Sequence, residues 1–91
     1  MSPVYVKCRM LPGLFDQELY VLINGSSSAY VRSTLVFGLS GSPTHETEVD
    51  GRVFGYLIKK NETESLIELM GEPIVGGLRT WVPNTQVSAE A

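Results

Sequence analysis

A chain of 91 residues with 43% hydrophobic and 19% charged content describes one small domain with apolar material for a single core. That composition excludes disorder, the lone cysteine excludes an internal disulfide, and no apolar run reaches the length of a membrane-crossing helix. A net charge of −3 gives no general attraction to phosphate backbones or anionic lipid. The opening MSPVYVKCRM has no export-signal stretch, so a cytoplasmic protein without membrane contact is expected.

The dominant period along the chain is two, the spacing of half-buried strands. VYVKCRM (4–10) alternates, with Val4, Val6, Cys8 and Met10 inward and Tyr5, Lys7 and Arg9 outward. A Pro-Gly turn and one more apolar pair, Leu14 and Phe15, lead to ELYVLI (18–23), which is apolar on both sides and therefore central or covered. Asn24-Gly25 is a hairpin signal because both residues tolerate positive φ, and AYVRSTLVFGL (29–39) returns as a third strand. SGSPTHETEVDG (40–51) reads as a polar, mobile connection, and RVFGYLIKK (52–60) as a fourth strand with a bulge or bend at Gly55. NETE turns into SLIELM (65–70), GEPIVGG (71–77) is a Gly/Pro loop, and LRTWVP (78–83) is the sixth strand. One domain spans 1–87, and 88–91 form a disordered tail.

SSAYVRSTLV (27–36) and GLRTWVPNTQV (77–87) echo each other through Val31/Val82, Thr34/Thr85 and Val36/Val87, with an aromatic at Tyr30/Trp81. The wider correspondence pairs Val4 with Val53 and Leu19 with Leu66. Either the halves are duplicated or two hairpins with similar burial needs have converged. Both alternatives give an all-β fold of five or six short antiparallel strands curled into a small barrel.

TWVPNTQV (80–87) resembles the end of an SH3 domain, where an aromatic-Val-Pro segment passes through a 3₁₀ turn into a final Val-bearing strand. The resemblance implies an SH3-like barrel. It does not imply proline-rich ligands, because the groove tyrosine of that family falls on Gln86 and its acidic-aromatic opening motif and paired tryptophans are missing.

Chemistry-bearing clusters are sparse, and no enzyme is expected. His45, Glu46, Glu48 and Asp50 share one loop, but their spacing matches no zinc or calcium signature, so a solvated acidic loop is the reading and no metal or cofactor is assigned. Cys8, alternating with inward valines, is expected as a small buried hydrophobe rather than a nucleophile. The outward set Trp81, Tyr30, Arg79, Arg32 and Tyr5 is the candidate interaction surface, since exposed aromatics beside arginines mark interfaces. Alternatively, Trp81 and Tyr30 cover the barrel end or pack under Ile74-Val75. These readings point to a non-catalytic protein-interaction or assembly module. Leu19, Leu22, Phe37 and Trp81 exceed what one small barrel buries, so the partner is another protein or a second copy in a monomer–dimer equilibrium. A single-strand nucleic-acid binder is the alternative, disfavoured by charge, and an enzyme or metal site in the 44–50 loop comes after it.

Overall fold

Alternation over Ser2–Pro12 forms β1, whose inward Val4, Val6, Cys8 and Met10 are buried while Lys7 and Arg9 are exposed. The computed structural model describes residues 2–23, 28–75 and 79–89. The chain continues through β2 (Glu18–Leu22), β3 (Ser28–Arg32), a 3₁₀ turn at Ser33–Leu35, β4 (Val36–Phe37) and β5 (Val49–Lys60). β6 (Glu64–Leu69), β7 (Glu72–Val75), β8 (Arg79–Pro83), a 3₁₀ turn at Asn84–Gln86 and β9 (Val87–Ala89) complete it. All pairings are antiparallel, in the order β7-β3-β2-β1-β5-β6-β8, with β4 added to β5 and β9 to β1. β7 follows β6 after a two-residue bend yet pairs with β3 near the far side of the sheet. The sheet therefore curls into a half-barrel.

Two halves with the same wiring build this sheet. The first runs β1-β2-β3-turn-β4; the second runs β5-β6-β8-turn-β9, with β7 inserted before β8. Their registers match: Leu19 pairs with Val31 as Ser65 pairs with Val82, and Val6 pairs with Val87 as Val53 pairs with Val36. Even the loop contacts correspond, since Ser33 N–H donates to the Gln17 carbonyl as Asn84 N–H donates to that of Thr63. The last strand of each half pairs with the first strand of the other. Val6 and Val53 face each other across the pseudo-two-fold axis, so the equivalent of Val53 is Val6, not Val4.

The core lies on the concave side. Val6, Met10, Val21, Val31, Val53, Ile67 and Val82 are its fully buried large side chains. β5 places Gly55 opposite Val4 and Gly51 opposite Cys8, so small residues accept larger ones across the β1–β5 seam. No bulge occurs at Gly55; the ladder shifts between Leu57 and Lys59 instead. Gly55 is needed for packing, because a Cβ there would stand 2.9 Å from the Glu68 carbonyl oxygen and 3.0 Å from Ile67 Cγ2.

Other departures have local causes. The expected third strand breaks after Arg32 because the 3₁₀ turn redirects the chain from β2 to β5. The second such turn carries β8 to β9, so Ser88 and Ala89 lie in a strand paired to Tyr5 and Val4 rather than in a loose tail; residues 90–91 lie outside the described set. Residues 72–75 of the expected Gly/Pro loop are strand, and 49–51 of the expected polar connection begin β5. The Asn24-Gly25 turn lies outside the described residues, between strands that pair as a hairpin requires.

Gly55→Ala is expected to cost about 1–3 kcal/mol through overpacking against the β6 backbone. Gly41→Ala, whose Cβ would meet only Val49 Cγ1 at 3.9 Å, should stay within about 0.5 kcal/mol of wild type. Urea denaturation of the two variants makes the comparison.

Candidate functional site

The convex side of β1 and β5 carries an aromatic cluster. Outward residues on adjacent antiparallel strands meet in pairs, and here Tyr5 faces Phe54, Lys7 faces Arg52 and Pro3 faces Tyr56. Tyr5 meets Phe37 of β4 edge-on at 4.9 Å and Phe54 at 6.0 Å, and Phe54 meets Tyr56 at 5.2 Å. The Arg52 guanidinium sits 5.6 Å from the Tyr5 ring centre, a cation–π contact. Gly38, at φ 65°, ends β4 in the left-handed region beside that guanidinium, and a Cβ there would stand 3.3 Å from Arg52 Nη2. Tyr5, Phe54 and Tyr56 are half-buried by one another, while Phe37 and Leu39 are exposed.

Charge on this face is uneven. Arg9 is engaged by Glu48 at 3.2 Å and lies 3.9 Å from Asp50. Lys7 and Arg52 stand directly opposite each other, and neither forms an ion pair among the described residues. Like charges in that position repel, so the face carries a local excess of positive charge beside its rings.

The five outward residues expected as one surface are divided by the fold. Tyr5 belongs to the cluster just described. Trp81 and Arg79 lie on β8, beyond β6: Lys59 Nζ is 5.7 Å from the Trp81 ring centre, and Arg79 Nε donates to Glu68 at 2.9 Å. Tyr30 and Arg32 lie on β3, on the other side of β1 and β2, where Tyr30 meets Tyr20 edge-on at 5.5 Å. Pseudo-symmetry explains the separation, since Tyr30 and Trp81 are equivalent positions. The side chains of Ile74 and Val75, considered as their cover, lie outside the described residues. Phe37, Phe54, Tyr56 and Arg52 were missed as site residues, although Phe54 and Tyr56 alternate with Val53 and Gly55 just as Tyr5 and Lys7 alternate with Val6 and Cys8.

Cys8 is buried as expected. Its thiol donates to the Gly51 carbonyl at 3.7 Å, and burial, helped by the negative charge of Asp50, pushes its pKa up from 9.0 to about 12. The thiol is therefore protonated at neutral pH. His45 and Glu46 form the exposed tip of a small turn closed by reciprocal Thr44–Thr47 backbone bonds of 3.1 Å. No group of three or more potential metal ligands converges among the described residues. Gln86 has its Oε1 buried with no hydrogen-bond donor among the described residues. No described helix is long and apolar enough to cross a membrane.

No family model matches the chain, and neither a curated protein nor a solved structure matches it significantly.

The Cys8 environment has a measurable consequence. The folded state holds the thiol proton more tightly than the unfolded chain, so this contribution is whole below pH 9.0 and fades as pH rises toward about 12. Between about pH 8 and about pH 10.5, wild type should lose more stability than Cys8→Ala in urea denaturation. Equal losses would contradict the assignment.

Proposed function

We propose that this domain is a non-catalytic protein-interaction or assembly module that docks through the convex β1–β5 face. The observation that carries the reading is the Tyr5–Phe37–Phe54–Tyr56 cluster with Arg52 on an outward sheet surface. The opposite face already holds the core, so the fold has no need of four rings there. Aromatic and arginine side chains with part of their area still solvated are the usual anchors of protein interfaces. The SH3-like reading of the β8–turn–β9 segment agrees with use as a binding scaffold, while Gln86 in place of the groove tyrosine points away from proline-rich peptides. A cytoplasmic setting suits a chain whose only cysteine is a buried free thiol.

A second reading has one observation in its favour. Rings beside Lys7 and Arg52 form the kind of surface on which unpaired bases stack. Pairing of Arg9 with Glu48 and the acidic net charge weaken it, because affinity for nucleic acid is mostly phosphate neutralisation.

A photo-crosslinker at position 37 tests the choice against a matched probe at position 62. Position 37 should capture protein, and position 62 should capture much less. Equal capture, or labelling at 37 of a single-stranded oligonucleotide alone with a steep salt dependence, would overturn the protein reading.

A further inference from the structure

The β1–β2 connection carries the most exposed large apolar side chains among the described residues, Leu14 at 70% and Phe15 at 74%. The backbone beneath them is well braced. Gly13 N–H donates to the Glu18 carbonyl at 3.0 Å, Leu14 N–H to Glu18 Oε1 at 2.9 Å, and Ser33 N–H to the Gln17 carbonyl at 2.8 Å. Gln17 adopts φ 63°, a left-handed conformation unfavourable for a residue with a side chain. Two apolar side chains are thus held outward on an ordered turn.

The second half supplies a comparison within the same molecule. Its equivalent turn is Asn61-Glu62-Thr63, closed by the Asn61 side chain accepting from Thr63 N–H at 2.9 Å and Glu64 N–H at 2.8 Å. The corresponding hairpin of the second half, two residues shorter, is thus closed by a polar tip, with no apolar pair in the open.

We infer that the Leu14-Phe15-Asp16 tip of one molecule docks on the Tyr5/Phe37/Arg52/Lys7 face of a second copy of this chain. The inference rests on the docking face proposed above and names its occupant. Complementarity carries it. The face offers rings with the opposed cations Lys7 and Arg52; the tip offers an apolar pair followed by Asp16, which forms no ion pair among the described residues. Phe15 adds to the ring cluster while the Asp16 carboxylate relieves the repulsion between the two cations. Glu18 is excluded from this role because it braces Leu14 and lies opposite Arg32. Since tip and face are different surfaces, the contact is head-to-tail and each docked molecule leaves one of each unused. A contact of so few side chains falls well below the roughly 800 Å² per partner of a stable interface, so association is weak and concentration-dependent.

Sedimentation at several protein concentrations tests it with Phe15→Ser and Phe37→Ser, both at exposed positions. The mean mass of wild type should rise with concentration, and each variant alone should stay monomeric. An equimolar mixture of the two should form a species of twice the monomer mass and nothing larger, because one intact tip then meets one intact face. A mixture that stays monomeric while wild type associates, or a wild type that stays monomeric throughout, overturns the second copy as occupant. Protein capture from position 37 in either case leaves the docking face standing; its absence removes both.

Discussion

Val6 against Val53 is the contact on which the rest of the structure depends. The two residues face each other at the pseudo-two-fold axis, and each is flanked by a valine of the other half, Val87 beside Val6 and Val36 beside Val53. Four β-branched side chains in one row across β9, β1, β5 and β4 suit a pleated, buried surface, and both axial residues are fully buried. Because each half lends its last strand to the other, neither completes a sheet alone. The two 3₁₀ turns make the exchange possible by redirecting the chain between neighbouring strands.

That arrangement separates what folding requires from what it leaves open. On the inward face the axis relates Val6 to Val53, Val21 to Ile67, Ile23 to Leu69 and Val31 to Val82, buried aliphatic at both ends, and at the β1–β5 seam it relates the larger Val4 and Cys8 to Gly51 and Gly55. On the outward face it relates Tyr5 to Arg52, Phe54 to Lys7 and Tyr56 to Arg9, so rings correspond to cations. The aliphatic rows shared by the two halves do not account for this outward difference. The same holds for the hairpin tips, where Leu14-Phe15 corresponds to Asn61-Glu62-Thr63. The outward rings and the hairpin tip, where equivalent sites differ in chemical character, make up both partners of the proposed contact.

Much of the architecture was legible because alternation reports burial directly. Val4, Val6, Cys8 and Met10 are inward as their spacing requires, and the echo between residues 27–36 and 77–87 marks two equivalent strand–turn–strand units. The turn at Asn84–Gln86 into a Val-bearing strand followed from the TWVPNTQV pattern, but the break after Arg32 was not legible. Nothing in STL distinguishes a 3₁₀ turn from continued strand, since the reason for turning is a partner strand in the other half. Gly55 read as a bend because strand glycines often mark one, whereas its cause is the close approach of the Glu68 backbone. The outward surface was only partly legible: each residue's side of a strand follows from the sequence, but which strands lie together follows from topology. Trp81 and Tyr30, alike in the echo, are apart because the axis relates them. Tyr5 and Phe54, unremarkable as a pair in the sequence, are together because β1 and β5 are the central strands.

The one large departure from pseudo-symmetry on the backbone is β7. The connection from Leu69 to Arg79 is longer than that from Ile23 to Ser28, and it adds a strand to β3 with no counterpart on β8 among the described residues. This strand brings the end of β6 against β3, where a Cβ on Gly71 would collide with the Tyr30 carbonyl oxygen. Curling on that side covers the core from the rear and leaves the convex β1–β5 surface facing out. A fold that meets its burial needs on the concave side with valine rows, and adds an inserted strand to β3, leaves the rings around Tyr5 outside its core.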